Sequence, residues 1–475
     1  MQNKFTGNLI LKSLIFGAIL GFLLAKQGGL LFIGFVFLLI LILLHKHFTD
    51  RHERNFVIAV FILSFVLRAL LCVGFHIYNE ASGNLYHYMG YTGNCIFGDS
   101  AAVSVISQAL ANVWHNQQDP MQFFSYMKNA HFVQFYICGI FYYLVGNYEL
   151  PLKFINIAYG TISGIFVYLI AKKIFNEKVA KISYVATMFF PSLVLWSIAN
   201  LKEPIQTLVF SVFIYSLLML KEKTSHKTGY FFLSALMLFF TYTISRPEMA
   251  ALLLAGGIIG FFLSINTAVK KVIFLALLCS LAGFLSYCLL RDIDIILILK
   301  LKIANLMQGI INWQSHVYLA KGHNYKIFPD RFYAFFVNLN IAACFFSFSQ
   351  LLRFVFKAII LFMTVPLPTM MTALMPAVVF PQILFWYSVL IFFVFGFILT
   401  IIKNNRKSFF MAGFLIALII PMSLVSANIG STFRHRDLFT PFIIIYASYG
   451  LYWLLKKTQM ITDGKTQMIA DEEHR

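Results

Sequence analysis

The chain has 475 residues, of which 60% are hydrophobic and only 12% charged, with 54 Phe and a mean hydropathy of +0.80. Ordinary globular domains carry about 25% charged residues, so this composition cannot cover a water-facing surface and describes an integral membrane protein. The 37 Lys+Arg against 18 Asp+Glu, a net of +19, would suggest nucleic acid in a soluble chain. Here the excess is read through the positive-inside rule, and no nucleic-acid partner is expected. Six Cys, at 72, 95, 138, 279, 288 and 344, show neither CxxC nor metal-ligand spacing and read as small core residues without a disulfide framework.

A spanning helix needs about 20 mostly apolar residues, and short Lys/Arg-rich loops mark the cytoplasmic side. Spans near 8–25 and 29–44 form an N-terminal hairpin that lacks a small-x-small cleavage site and so reads as uncleaved. The basic link His45-Lys46-His47 to Arg54 closes a first region, 1–54, on the cytoplasmic side. A third span, 55–75, then leads outward to a long outer loop, 76–153, whose first part is polar and rich in Asn, Gly, Tyr and His. Counting 131–146 as a span would put Lys172, Lys173, Lys178 and Lys181 outside, so that segment is expected to be interfacial or re-entrant. The next span, 154–171, crosses inward. Spans near 182–200, 204–220, 229–245, 248–268 and 272–290 follow, then a second outer region, 291–380, with amphipathic and apolar pieces. Three spans near 381–402, 408–427 and 438–455 complete a core of 55–455, and a polar tail, 456–475, is expected to be a disordered appendage. The expectation is an all-α polytopic membrane protein of about 12 transmembrane helices, with two long extracytoplasmic loops containing interfacial helices and both termini cytoplasmic. The matched halves of many secondary transporters are not visible.

Charged residues on the outer side stand against the topological bias, and an ionisable group at membrane depth is by default a functional candidate. They are Glu80, Asp99 and Asp119 in the first outer loop, Lys202-Glu203, Arg246 with Glu248, Arg291-Asp292-Ile293-Asp294, and Arg434-His435-Arg436-Asp437; Arg68 lies within the third span. Arg and Lys gathered beneath two outer loops would make a cationic, partly dehydrated cavity, and guanidinium suits bidentate phosphate binding. A lipid phosphate is the natural guest.

The segment FGDSAAVSVISQALANVWHN, 97–116, resembles the first-loop signature of GT-C-type membrane glycosyltransferases. The resemblance continues through HFVQFYICGIFYYLVG, LKFINIAYGTISGIFVYLIAKKIF, FFPSLVLWSIANLKEP, ISRPEMA, VPLPTMMTAL…LFWYSVLIFFVFG and NIGSTFRHRDLFTPF. In order, these cover most of 55–455 and are similar to bacterial surface-polysaccharide members. The resemblance implies a transferase that moves a sugar from a polyprenyl-phosphate donor to a lipid-linked or cell-surface glycan acceptor, at the outer face of a bacterial inner membrane. Asp99 would be the general base that takes the acceptor hydroxyl's proton, with Glu80 and Asp119 as runners-up. Many relatives carry Tyr three or four residues after that Asp, where this chain has Ala102 and Val103. Arg246, Arg434, Arg436, Lys202, Glu203 and Arg291 would contact substrate and its phosphate. No cofactor beyond the lipid-linked donor is expected; no metal site is assigned and a divalent metal requirement stays open.

Plainer roles exist for the same residues. Asp99 is also a favoured N-cap for the helix that follows it, Arg434 to Arg436 can anchor to lipid head groups, and Lys202-Glu203 can be a local ion pair. The DxD at 292–294 lies outside by this topology, where nucleotide sugars are absent, and is discounted. Two other functions compete: a polymerase or ligase acting on polyprenyl-pyrophosphate glycans, and a flippase or transporter for a lipid-linked sugar.

Overall fold

The computed structural model describes residues 29–83, 86–88, 91–94, 98–116, 132–146, 149–222, 226–244, 247–265, 309–310, 325, 327, 348–367 and 376–473. The spans expected near 8–25 and 272–290 lie outside the described residues. The fold is that of an all-α polytopic membrane protein, interrupted among the described residues by one short ribbon. Among the described residues five helices are long and apolar enough to cross a membrane, or up to seven if each of two bent pairs is one span.

The chain divides into two compact units, Met1–Ile170 with Lys181–Ala250, and Ala171–Ala180 with Ala251–Arg475. In the first, α1 (Gly29–His47) precedes α2 (Arg51–Ser82), which has 32 residues. The Asp50 carboxylate caps α2 by accepting from Glu53 N at 2.7 Å, satisfying one orphan donor of the first turn. Gly83, at φ 67°, ends it in the left-handed region that favours glycine. A ribbon follows, β1 (Tyr86–Tyr88) antiparallel to β2 (Tyr91–Gly93), with Tyr86 opposite Gly93. It delivers the chain to α3 (Gly98–Trp114).

The segment expected to be interfacial is α4 (Phe132–Val145), 14 residues long, too short to span about 30 Å at 1.5 Å per residue. It packs on α3 through Val103, Leu110, Phe135, Phe141 and Tyr142. At Gly139 a Cβ would come within 2.8 Å of the Leu110 side chain, so the two helices meet where glycine makes room. Then come α5 (Glu149–Ile174), α6 (Glu177–Met188) and α7 (Pro191–Ile198). The single span expected over 182–200 is in fact α6 and α7, bent by 52°. Pro191, at the first position of α7, cannot donate a helical hydrogen bond, and the chain breaks before it. α8 (Glu203–Lys221) and α9 (Lys227–Ile244) pack through Ile205, Val209 and Ile244.

α10 (Pro247–Leu263) leads into the second unit, which also holds α11 (Phe348–Thr364), α12 (Pro376–Ile402), α13 (Arg406–Val425), α14 (Ile429–Asp437) and α15 (Thr440–Glu473). Backbones touch here. A Cβ on Gly396 of α12 would lie 2.0 Å from Tyr446 O, and one on Gly450 of α15 would lie 2.4 Å from Phe392 O. Gly260 of α10 and Gly413 of α13 make a second such crossing. Small residues at helix crossings are how helices approach closely in a lipid environment. The tail expected to be disordered instead continues α15 as helix to Glu473. Its Gln, Met, Lys, Ala and Glu have good helix propensity, and they extend a helix already nucleated.

Candidate functional site

In the first unit the predicted base lies on α3. The helix starts at Gly98, so Asp99 sits inside the first turn rather than capping it from outside, and it is exposed. A carboxylate there is favoured by the helix dipole. Glu80 is exposed near the end of α2 and lies 3.3 Å from His76 Nε2.

Asn94, on the approach to α3, ties these parts together. Its backbone N–H donates to Glu149 Oε2 at 2.9 Å, its Nδ2 donates to His76 O at 2.9 Å, and its carbonyl accepts from Lys153 Nζ. Lys153 and Glu149, one turn apart on α5 with their nitrogen and oxygen 3.8 Å from each other, are both buried side chains. A buried pair needs further hydrogen bonds; the Asn94 backbone supplies one to each residue, while Glu149 Oε1 has no partner among the described residues. Asn94 is therefore fastened to the ends of α2 and α5. Lys202, half-buried, precedes α8, and Glu203, 5% exposed, is its first residue.

Arg68, mid-way along α2, is wholly buried. Nε donates to Ser197 Oγ at 2.9 Å, and Nη1 donates to Ser64 Oγ. Both serine hydroxyls pass their own hydrogens to backbone, Ser64 to Met188 O and Ser197 to Val194 O. The guanidinium thus bridges the break between α6 and α7.

In the second unit the Arg434-His435-Arg436 run, expected as a loop, is the last turn of α14. Asn428 caps this helix, accepting from Gly430 N at 2.8 Å and Ser431 N at 3.3 Å. Arg434 and His435 are half-buried, and Ser426 Oγ lies 2.9 Å from His435 Nδ1. Arg436 is 0% exposed. Its Nη1 donates to Val365 O at 3.0 Å and, more weakly, to Met363 O at 3.5 Å, while its plane stacks on Trp386 and Phe433 at 4.1 and 4.8 Å. Trp386 Nε1 donates to Met363 O at 2.7 Å, and the Tyr387 hydroxyl lies 2.7 Å from Thr364 O and 2.8 Å from Pro366 O. Among the described residues, Arg436 Nε and Nη2 have no acceptor. These two donors form the edge of guanidinium that takes a carboxylate or phosphate bidentately.

Asp99, Glu80, Lys202 and Glu203 therefore belong to the first unit, and Arg434 and Arg436 to the second. Asp119, Arg246 and Arg291 lie outside the described residues. No group of three or more His, Cys, Asp or Glu able to hold a metal ion occurs among the described residues. Sequence reasoning missed Asn94, Glu149, Lys153 and Trp386; only the four-residue spacing of Glu149 and Lys153 offered a signal.

Residues 130–289, about a third of the chain, match the family described as dolichyl-phosphate-mannose-protein mannosyltransferase. Lys202, Glu203 and Arg246 fall inside that stretch, and Asp99 and Arg436 outside it. The chain is similar to the apo oligosaccharyltransferase of Archaeoglobus fulgidus, at 14% identity and a TM-score of 0.44, over 86% of this chain and 52% of that one. It is also similar to the oligosaccharyltransferase AglB of the same archaeon in complex with an inhibitory peptide and a dolichol-phosphate, at 15% identity and a TM-score of 0.43, over 86% and 52%. The chain spans about half the length of these structures. No curated protein matches it. The matched stretch is similar to a family of membrane glycosyltransferases, in keeping with the GT-C-type resemblance of the motifs.

Proposed function

We propose that the protein transfers a sugar from a polyprenyl-phosphate donor to a lipid-linked or cell-surface glycan at the extracytoplasmic face of a bacterial inner membrane, with both termini in the cytoplasm. The match of 130–289 to a family named for a lipid-phosphate-sugar donor carries this reading. Two geometric observations support it: an exposed carboxylate on a braced helix, and a buried guanidinium two of whose donors have no acceptor among the described residues. Asp99 takes the proton of the acceptor hydroxyl as the glycosidic bond forms. Glu80, whose carboxylate is engaged by His76, and Asp119 are its runners-up. Arg436 receives the donor phosphate and stabilises the charge that collects on it as the bond to the sugar breaks. Arg434, Arg246, Lys202, Glu203 and Arg291 complete the contacts to substrate.

The test is incorporation of labelled sugar from a panel of polyprenyl-phosphate sugars into lipid-linked glycan, using membranes that contain wild type or Asp99→Asn. One donor should support transfer, and the variant should lose about 10²–10⁴-fold in rate while inserting normally. Transfer by Asp99→Asn at the wild-type rate would move the base to Glu80 or Asp119. A protein inert with every monophosphate donor but active with pyrophosphate-linked glycans would be a polymerase or ligase.

A further inference from the structure

The turn 198–201 joins α7 to α8 inside the first unit, and side chains from four other helices hold it. Cys72 of α2 donates its thiol to Ile198 O at 3.7 Å. Asn156 of α5 uses both amide hydrogens, on Ala199 O at 2.6 Å and Leu201 O at 2.8 Å. Asn200 is 2% exposed; its Nδ2 donates to Ser104 Oγ of α3 at 3.0 Å, and its Oδ1 accepts from Cys138 Sγ of α4 at 3.9 Å. Burial pushes the Cys138 thiol up to about 12, so it keeps its hydrogen as a donor.

Backbone carbonyls released at a helix end and buried must find donors. A local cap would have satisfied them. Here the donors come from α2 and α5, and the one side chain of the turn that reaches outward connects to α3 and α4. Its placement along the chain gives that link a direction. Ser104 lies five residues after Asp99 on α3, about 7.5 Å along the axis at 1.5 Å per residue. Asn200 lies two residues before Lys202 and three before Glu203. One amide therefore joins the helix of the proposed base to the segment expected to contact substrate.

We infer that Asn200 is a positioning residue, whose bond to Ser104 couples α3 to the Lys202–Glu203 segment so that these two sequence-distant parts move as one body. The catalytic consequence rests on the transferase reading; the coupling does not.

Hydrogen exchange of the full-length protein in nanodiscs reads the coupling without activity. Asn200→Ala should raise exchange over 99–105 and over 198–203 together. A rise confined to 198–203 overturns the inference. Kinetics read the consequence: kcat should fall by about 10²-fold, the loss expected from a misplaced catalytic group, while the KM for the donor stays unchanged. Ser104→Ala should reproduce both effects, and Ser104→Ala/Asn200→Ala should be no slower than the worse single variant, because each deletes the Ser104–Asn200 bond. Losses that add, or a wild-type kcat in Ser104→Ala, overturn it. If Asn200→Ala does not assemble, Ser104→Ala carries both readouts, since it deletes one hydroxyl within a helix. Wild-type membranes inert with every donor would sink the transferase reading, and the exchange measurement would still decide the coupling.

Discussion

Among the described residues each unit holds one wholly buried arginine, and the two are used differently. Arg68 rests its guanidinium on Ser64 and Ser197, whose own hydrogens are already placed on backbone carbonyls. It closes a network across the break between α6 and α7. Arg436 has one edge on the Val365 and Met363 carbonyls and two donors with no acceptor among the described residues. A buried charge left with idle donors is destabilising, so the second unit tolerates a cost that the first avoids. The contrast separates an arginine whose network is closed from one with two donors to spare among the described residues.

The largest effect expected from that contrast comes from Arg436→Met. Donor turnover should fall by about 10²–10³-fold, measured with the labelled donor that supports wild type. The melting temperature in detergent should hold or rise, because an apolar side chain replaces a poorly satisfied charge and leaves the Val365 carbonyl as the acceptor it strands. A large drop in melting temperature would make Arg436 a structural residue and end the comparison. Next is Gly396→Ala, where the atom met is the Tyr446 carbonyl, which is backbone and cannot turn aside. We expect a loss of about 1–3 kcal/mol, read by thermal unfolding. Asn428→Ala, which removes the cap of the helix carrying Arg436, should cost about 1 kcal/mol, checked the same way; no loss would mean that the Tyr325–Thr432 contact at 2.6 Å suffices to hold α14. The smallest effect is expected from Arg68→Met. It strands no serine hydrogen, and stability should stay within about 1 kcal/mol of wild type with transfer retained. Loss of transfer from a stable Arg68→Met would place this arginine in the chemistry too.

Much of this architecture is legible in the sequence because lipid imposes one rule, an apolar run long enough to cross, and that rule marks α2, α5, α8, α12 and α13. The short segment 132–145 is legible through the lysines after it, which the positive-inside rule keeps on the cytoplasmic side. Breaks are harder. FFPS at 189–192 is compatible with a continuing span or a bent one, since a proline at the first position of a helix suits a new start as well as a kink. The tail misled because its polarity was weighed and its helix propensity was not. Among the candidate residues, Asp99 and Arg436 stand out as charges in an apolar chain, whereas Asn94, Asn156 and Asn200 are single uncharged residues whose partners lie 18 to 96 positions away. No periodicity announces such pairs. They emerge only when the helices are placed.

The length of α2 carries a consequence of its own. Its 32 residues rise about 48 Å, against a hydrocarbon thickness of about 30 Å. One end is pinned where the Tyr168 hydroxyl donates to Glu53 at 2.7 Å, the other where the His76 carbonyl takes the Asn94 amide. A strut fixed at both ends is a gauge. It fixes the distance between Glu53 and the Asn94 contact whatever the bilayer around it does, so a thicker or thinner membrane must tilt the strut or deform itself.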